Sequence, residues 1–261
     1  MSTRAELIQM AKLAEQGERF DDMVEYMKEV AQSSEKMAIE DRNLLSVAYK
    51  NIVGSRRNAL RILGSIKDKE ERKEPDGYKL KTVIEYRDKL EAELDALCLE
   101  LLDQVLNDAF LGRVEECGSQ VFFLKMKGDY YRYMAEYKEG EALKQVCTQA
   151  EDCYSKAWAT ASKELSATDP IRLGLVLNYS VFHFEIMNES EEACKLAKQS
   201  FEEAKSGIDD ISDENYKDSM LILQLLRDNL SLWTQDEPSV DPIDDEPGDI
   251  PKQDDGDDDD A

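Results

Sequence analysis

Residues 48–66 read AYKNIVGSRRNALRILGSI, and two sets of side chains recur in them at helical spacing. Lys50 and Arg57 stand seven residues apart, with Arg61 one turn further on, while Ala59, Leu63 and Ile66 run i, i+4, i+7. Seven residues bring a helix back to nearly the same face, so the stretch reads as one helix that aims cations one way and an apolar stripe another. LKMKGDYYRY (124–133) repeats the device with Lys125, Arg132 and the adjacent Tyr133. The whole chain carries a formal net charge of -25, so positive charge gathered at one spot implies a bound anion.

Working outward, apolar residues recur every three or four positions almost from end to end, and no period-2 stretch appears. The fold class is therefore all-α, about nine antiparallel helices. Breaks are expected at residues 17–21, 33–38, 74–78, 111–113, 137–140, 168–170, 188–190 and 207–212. Asp169 before Pro170, Ser190 before two glutamates and Ser212 before two acids read as helix starts. Two helices, roughly 38–73 and 77–110, exceed the globular average and suit an extended wall better than a compact bundle. The body is expected to be one domain over 1–234; its division into 3–110 for dimerisation and the groove floor and 113–234 for the groove wall is what the family resemblance described below implies. From 235 to 261 the chain holds 13 Asp or Glu against one Lys, and such a segment cannot bury enough apolar area to offset its chain entropy. It is expected to be a disordered acidic tail that solubilises or mimics an anion; a calcium site at Asp254, Asp255 and Asp257 fits poorly.

Composition removes several function classes. Hydrophobic residues make up 41% and charged ones 35% of the 261 residues, with 12 Gly and 6 Pro, four of these after Trp233. No 18-residue apolar run and no signal core appear, so neither membrane insertion nor secretion is expected, and the compartment is cytoplasmic, with the nucleus also open. Five cysteines without a CxxC pair read as reduced, buried side chains. The single histidine, His183, reads as a packing residue, and no catalytic triad, cofactor loop or metal spacing is present. No cofactor is expected, and the acidic excess argues against nucleic acid.

Arg57 and Arg132 carry the anion hypothesis because a guanidinium presents a planar fork to two phosphate oxygens. Lys50 adds a point charge and Tyr133 a hydroxyl, which together balance a phosphate monoester. From spacing alone, the same cations read more readily as surface partners of the 58 acidic residues.

The wider segments bear on that choice. RNLLSVAYKNIVGSRR (42–57), VFFLKMKGDYYRYMAE (121–136), DPIRLGLVLNYSVFHFEI (169–186) and YKDSMLILQLLRDNLSLWT (216–234) resemble, in order, the signature segments of the 14-3-3 family. The resemblance implies a cup-shaped homo- or heterodimer whose grooves read phosphoserine or phosphothreonine in extended segments of client proteins, a mode built on arginine clusters. It places the phosphate pocket on Lys50, Arg57, Arg132 and Tyr133, with Lys125 nearby. Peptide-backbone contacts fall on Asn178 and Asn229, an orienting carboxylate on Glu185, and the apolar groove wall on Leu177, Val181, Leu221, Ile222, Leu225, Leu232 and Trp233. Spacing agrees for Leu225, Asn229 and Leu232, and for Gly174, Asn178 and Val181, each i, i+4, i+7. The implied dimer surface takes Leu13, Ala59, Leu63, Ile66 and Tyr86, with cross-subunit pairs Arg19–Glu93 and Asp22–Lys89. Asn58-Ala59-Leu60 departs from the two serines and tryptophan of many members, so Ala59 offers no phosphorylation site there. A phosphate-independent helical scaffold or acidic chaperone is the alternative; an enzyme finds no support.

Overall fold

The long helix that opens the reading is α3, Ile39–Lys73, and its buried positions Leu45, Ala48, Tyr49, Ile52 and Val53 follow the 3.6-residue period. The computed structural model describes residues 2–33, 36–208 and 211–234, all helix and short connections. Before α3 come α1 (Arg4–Gln16), started by the Thr3–Glu6 capping box, and α2 (Phe20–Gln32). After it come α4 (Tyr78–Leu99), a four-residue α5 (Asp108–Leu111), α6 (Cys117–Ala135) and α7 (Gly140–Glu164). Then α8 (Pro170–Val181), α9 (Ser190–Lys205) and α10 (Asp213–Trp233) complete the described chain. No described helix is long and apolar enough to cross a membrane.

The expected breaks coincide with the connections, and Asp169 caps α8 as anticipated, its Oδ1 accepting from the Ile171 N–H at 2.7 Å ahead of Pro170 at the first turn. Three readings need correction. The helix expected over 77–110 ends at Leu99, continues as a π-helical segment over Glu100–Val105 and breaks at 106–107 before α5. An i→i+5 bond pattern has no apolar period of its own, so spacing could not announce it. A second π segment, Phe182–Met187, prolongs α8 and stops at Asn188, whose φ of 58° closes the turn. Ser190 is the first residue of α9 rather than its cap, which Glu189 occupies without a side-chain bond. The acidic tail and its three-aspartate calcium option lie outside the described residues.

The core is strung in series rather than gathered at a centre. One cluster unites α1–α4 with α6, a second joins α6, α7 and α8 through Tyr154, Tyr179 and Phe182, and a third joins α8, α9 and α10 through Phe201, Leu226 and Leu230. Helices α6 and α8 each belong to two clusters, so the array extends from one cluster to the next through them. Cys98 and Cys153 are buried as expected, whereas Cys117, Cys147 and Cys194 are half-buried. Burial pushes the Cys98 thiol up to about 12 and Cys153 to about 11, which keeps both protonated. His183 is buried, stacks near Tyr179 and bonds Glu189 at 2.8 Å, a packing residue with a polar partner.

The tightest helix approach is at Gly128, where an added Cβ would meet the buried Tyr154 ring at 2.8 Å. Gly128→Ala therefore forfeits its gain in helix propensity and is expected to lose about 1 kcal/mol net in urea denaturation. Gly54→Ala, with nothing within 4 Å of the new methyl, is expected to gain about 0.5–1 kcal/mol in the same assay. Equal effects of the two would overturn this account.

Candidate functional site

The α3 and α6 cations meet on one aromatic ring. The Arg57 guanidinium carbon lies 3.7 Å from the Tyr133 ring centroid and that of Arg132 lies 4.9 Å from it. Lys50 lies one i, i+7 step from Arg57 on α3; its side chain is exposed and makes no ion pair with any described residue. Each arginine has an acidic neighbour, and the two converge on the Tyr133 ring. Arg57 Nε and Nη2 donate to Glu136 Oε2 and Oε1 at 3.0 and 2.5 Å, and Arg61 Nη2 reaches the same Oε1 at 3.2 Å. Glu136 thus holds the Arg57 fork edge-on while leaving its face against Tyr133.

Arg132 is the buried member, 7% exposed, with Nε donating to the Tyr154 hydroxyl at 3.2 Å and Nη2 3.6 Å from Asp129. Burial opposes its charge, but Tyr154, Asp129 and Tyr133 outweigh that and hold its pKa above the ordinary value. Burial, reinforced by Asp129 and opposed by Arg132 and Arg57, pushes the Tyr133 phenol up to about 12. At neutral pH Tyr133 is therefore a donor and adds no negative charge.

Asp129 organises the other side. Its Oδ1 accepts from the Tyr154 hydroxyl at 2.6 Å and from Asn178 Nδ2 at 2.8 Å, and its Oδ2 accepts from Lys125 Nζ at 2.8 Å. With one of its two amide N–H groups engaged, Asn178 keeps a second N–H and its carbonyl oxygen for other partners. Lys125, Asn178 and Arg132 thus come together through a residue that the sequence reading passed over. A local signal existed, since Lys125 is four residues before Asp129 and Arg132 three after it. Tyr154 and Glu136 had none, because both act across helices.

The groove residues line α8, the second π segment and α10. Leu177, Asn178, Val181, Ile222, Asn229 and Trp233 are half-buried, while Glu185 is exposed. Leu221, Leu225 and Leu232 are 62%, 43% and 64% exposed, so this α10 stripe is not core. A Cβ built on Gly174 would stand 3.8 Å from Lys125 Cε and 3.9 Å from Ile222 Cδ1, which ties the α8 floor to both walls. Phe184, also passed over, stacks on Trp233 with centroids 4.6 Å apart and fixes the far end.

On α1–α4, Leu13 and Tyr86 are about half exposed, Ile66 is exposed, and Ala59 and Leu63 are half-buried against the first cluster. The four charges expected to pair across subunits pair within the chain: Arg19 with Asp22, and Lys89 with Glu93 at 4.0 Å.

Burial raises the proton affinity of the Asp129 carboxyl, yet Lys125, Arg132 and Tyr154 outweigh it and depress its folded pKa. A depressed carboxylate contributes its stability above the unfolded value, about 3.9, and loses it as pH falls further. Asp129→Asn is therefore expected to cost about 3–5 kcal/mol at pH 7, as for one partner removed from a buried pair. The gap to the unmutated protein should begin to narrow as pH falls below about 4 and close only at lower pH, once the native carboxyl with its depressed pKa protonates too. A pH-independent gap in thermal denaturation would refute the assignment.

Sequence comparison places the chain in a family. A family model described as "14-3-3 protein" matches residues 10–234. A 14-3-3-like protein of Helianthus annuus is 50% identical over 238 residues, covering 90% of this chain and 91% of the relative. The checkpoint signal transducer rad24 of Schizosaccharomyces pombe is 50% identical over 235 residues, covering 90% and 86% respectively. Protein BMH2 of Saccharomyces cerevisiae is 48% identical over 234 residues, covering 90% and 85%. With a match across the whole helical body and half of its residues shared with these relatives, the chain belongs to the 14-3-3 family of adaptor proteins.

Proposed function

We propose that this chain works as a non-enzymatic dimeric adaptor, each groove binding an extended segment that carries phosphoserine or phosphothreonine. The observation that carries the reading is the meeting of Arg57 and Arg132 on Tyr133, beside the buried Asp129 that aims Lys125 and Asn178. A phosphate monoester dianion would take the donors that Glu136 leaves on Arg57 and that Tyr154 leaves on Arg132, together with the Lys50 ammonium and the Tyr133 hydroxyl. Asn178 and Asn229 would bond the segment's backbone, and the leucine stripe of α10 would cover its apolar side chains. The acidic surface elsewhere would repel bulk polyanions, so selectivity would fall to a phosphate presented on the right peptide. Reduced, protonated thiols suit a cytoplasmic or nuclear compartment.

Paired grooves would bind a doubly phosphorylated client more tightly than one groove, provided the spacing fits. The pairing surface is the exposed apolar stripe of α1, α3 and α4, where Arg19 and Glu93, and Asp22 and Lys89, would exchange their internal partners for cross-subunit ones and set register.

Fluorescence anisotropy with one peptide in phosphorylated and unphosphorylated forms tests the pocket. Arg57→Ala is expected to weaken phosphopeptide binding by about 100-fold, two charge-assisted hydrogen bonds' worth, with far-UV circular dichroism unchanged. Equal affinity of the unmutated protein for both forms would refute the reading and favour the phosphate-independent scaffold. Sedimentation equilibrium tests the assembly: the protein should weigh about twice its 29.8 kDa chain mass. Leu13→Glu with Tyr86→Glu, both at exposed positions, should reduce it to a monomer. A dimer that survives the pair would relocate the interface.

A further inference from the structure

A cavity opens beside Arg57, and Tyr133 is not on its walls. It has a volume of about 180 Å³ and lies between α3, α4 and the end of α6, with Arg57, Arg61, Arg87, Leu94, Glu136 and Tyr137 on its walls. In a protein of net charge -25, three arginines and a single carboxylate line this one space. The cations come from helical stripes: Arg57, Arg61 and Gly64 run i, i+4, i+7 on α3, and Arg87 and Leu94 stand seven apart on α4. The α3 stripe is offset by two residues, about 200° of helix, from Ala59, Leu63 and Ile66, so the cavity faces away from the proposed dimer surface.

The donors here are only partly used. Glu136 takes both bonds of the Arg57 fork, and Arg61 adds one longer bond to it while its side chain remains 65% exposed. Arg87 Nε lies 3.0 Å from Glu91 Oε1, in a geometry that leaves this buried N–H without a hydrogen bond. A guanidinium has five N–H donors, so Arg61 and Arg87 have several to offer.

We propose that this cavity is a second anion subsite, which takes a further phosphate or carboxylate from the segment whose phosphate sits on Arg57. The proposal rests on the phosphopeptide reading above and narrows its ligand class to segments carrying two anionic groups. The spacing follows from geometry. Arg61 and Gly64 lie four and seven residues past Arg57, about 6–10 Å along the helix axis, which an extended chain spans in two or three residues.

The test is a panel of peptides, each with one phosphoserine and a second phosphoserine placed two or three residues before or after it. At one of these positions the unmutated protein should bind about tenfold more tightly than it binds the singly phosphorylated peptide. Arg87→Gln, and separately Gly64→Asp, should erase that gain while leaving singly phosphorylated peptide binding within about twofold. Gly64→Ala serves as the size control, since an added Cβ meets nothing within 4 Å, and should keep the gain. Pyrophosphate without peptide is the further arm: competition with the second phosphate only, lost in Arg87→Gln, supports the subsite and shows that a free oxyanion also fills it. No gain at any position, or a gain that survives both variants, overturns the proposal alone. Failure to prefer the singly phosphorylated over the unphosphorylated peptide overturns the parent reading instead.

Discussion

The rest of the site depends on one buried carboxylate. Asp129 sits on α6 at 6% exposure, which costs free energy unless every oxygen is partnered and countercharged. Tyr154 from α7, Asn178 from α8 and Lys125 from its own helix supply the partners, with Arg132 alongside. Meeting that demand draws three helices to a fixed register. It also holds Lys125, Asn178 and Arg132 with their remaining donors and acceptors turned outward. Packing enforces the same register, since Gly128 lets the Tyr154 ring approach close enough for its hydroxyl to reach the carboxylate.

A charge network of this kind needs a frame with an open face, and the serial core provides one. Three apolar clusters are linked through α6 and α8, so each of these helices is anchored on both sides, and among the described residues Leu221, Leu225 and Leu232 of α10 stay outside the clusters. The cost is exposed leucine on α10, a contiguous apolar stripe of the kind that marks a binding groove. Opposite it lies the cationic side built on Tyr133. The fold thus separates apolar and charged walls by the width of one helix, α8, whose Gly174 keeps the floor low enough for Lys125 and Ile222 to approach.

Much of this was legible in the chain because helix periodicity is a local property. The helix of residues 39–73, the breaks around 74–77 and 168–170, and the α10 stripe follow from spacing and turn chemistry within a few residues. The four family segments turned Lys50, Arg57 and Arg132 from expected surface ion pairs into an expected pocket shared with Tyr133. The π segments at 100–105 and 182–187 were not legible, since each inserts its extra residue without disturbing the apolar pattern around it. Glu136 was equally hidden: one acid among 58, its role set by a helix 79 residues away in sequence.

By itself, then, the sequence determined an all-helical body, most of its element boundaries and the faces that each helix must bury, because burial of a stripe is decided within one turn or two. Only the tertiary structure decided which carboxylate each cation meets. Arg57 and Arg132 gain their meaning from Glu136, Asp129 and Tyr154, residues on other turns and other helices. Charges act through space and not along the chain, so their pairing waits for the helices to pack.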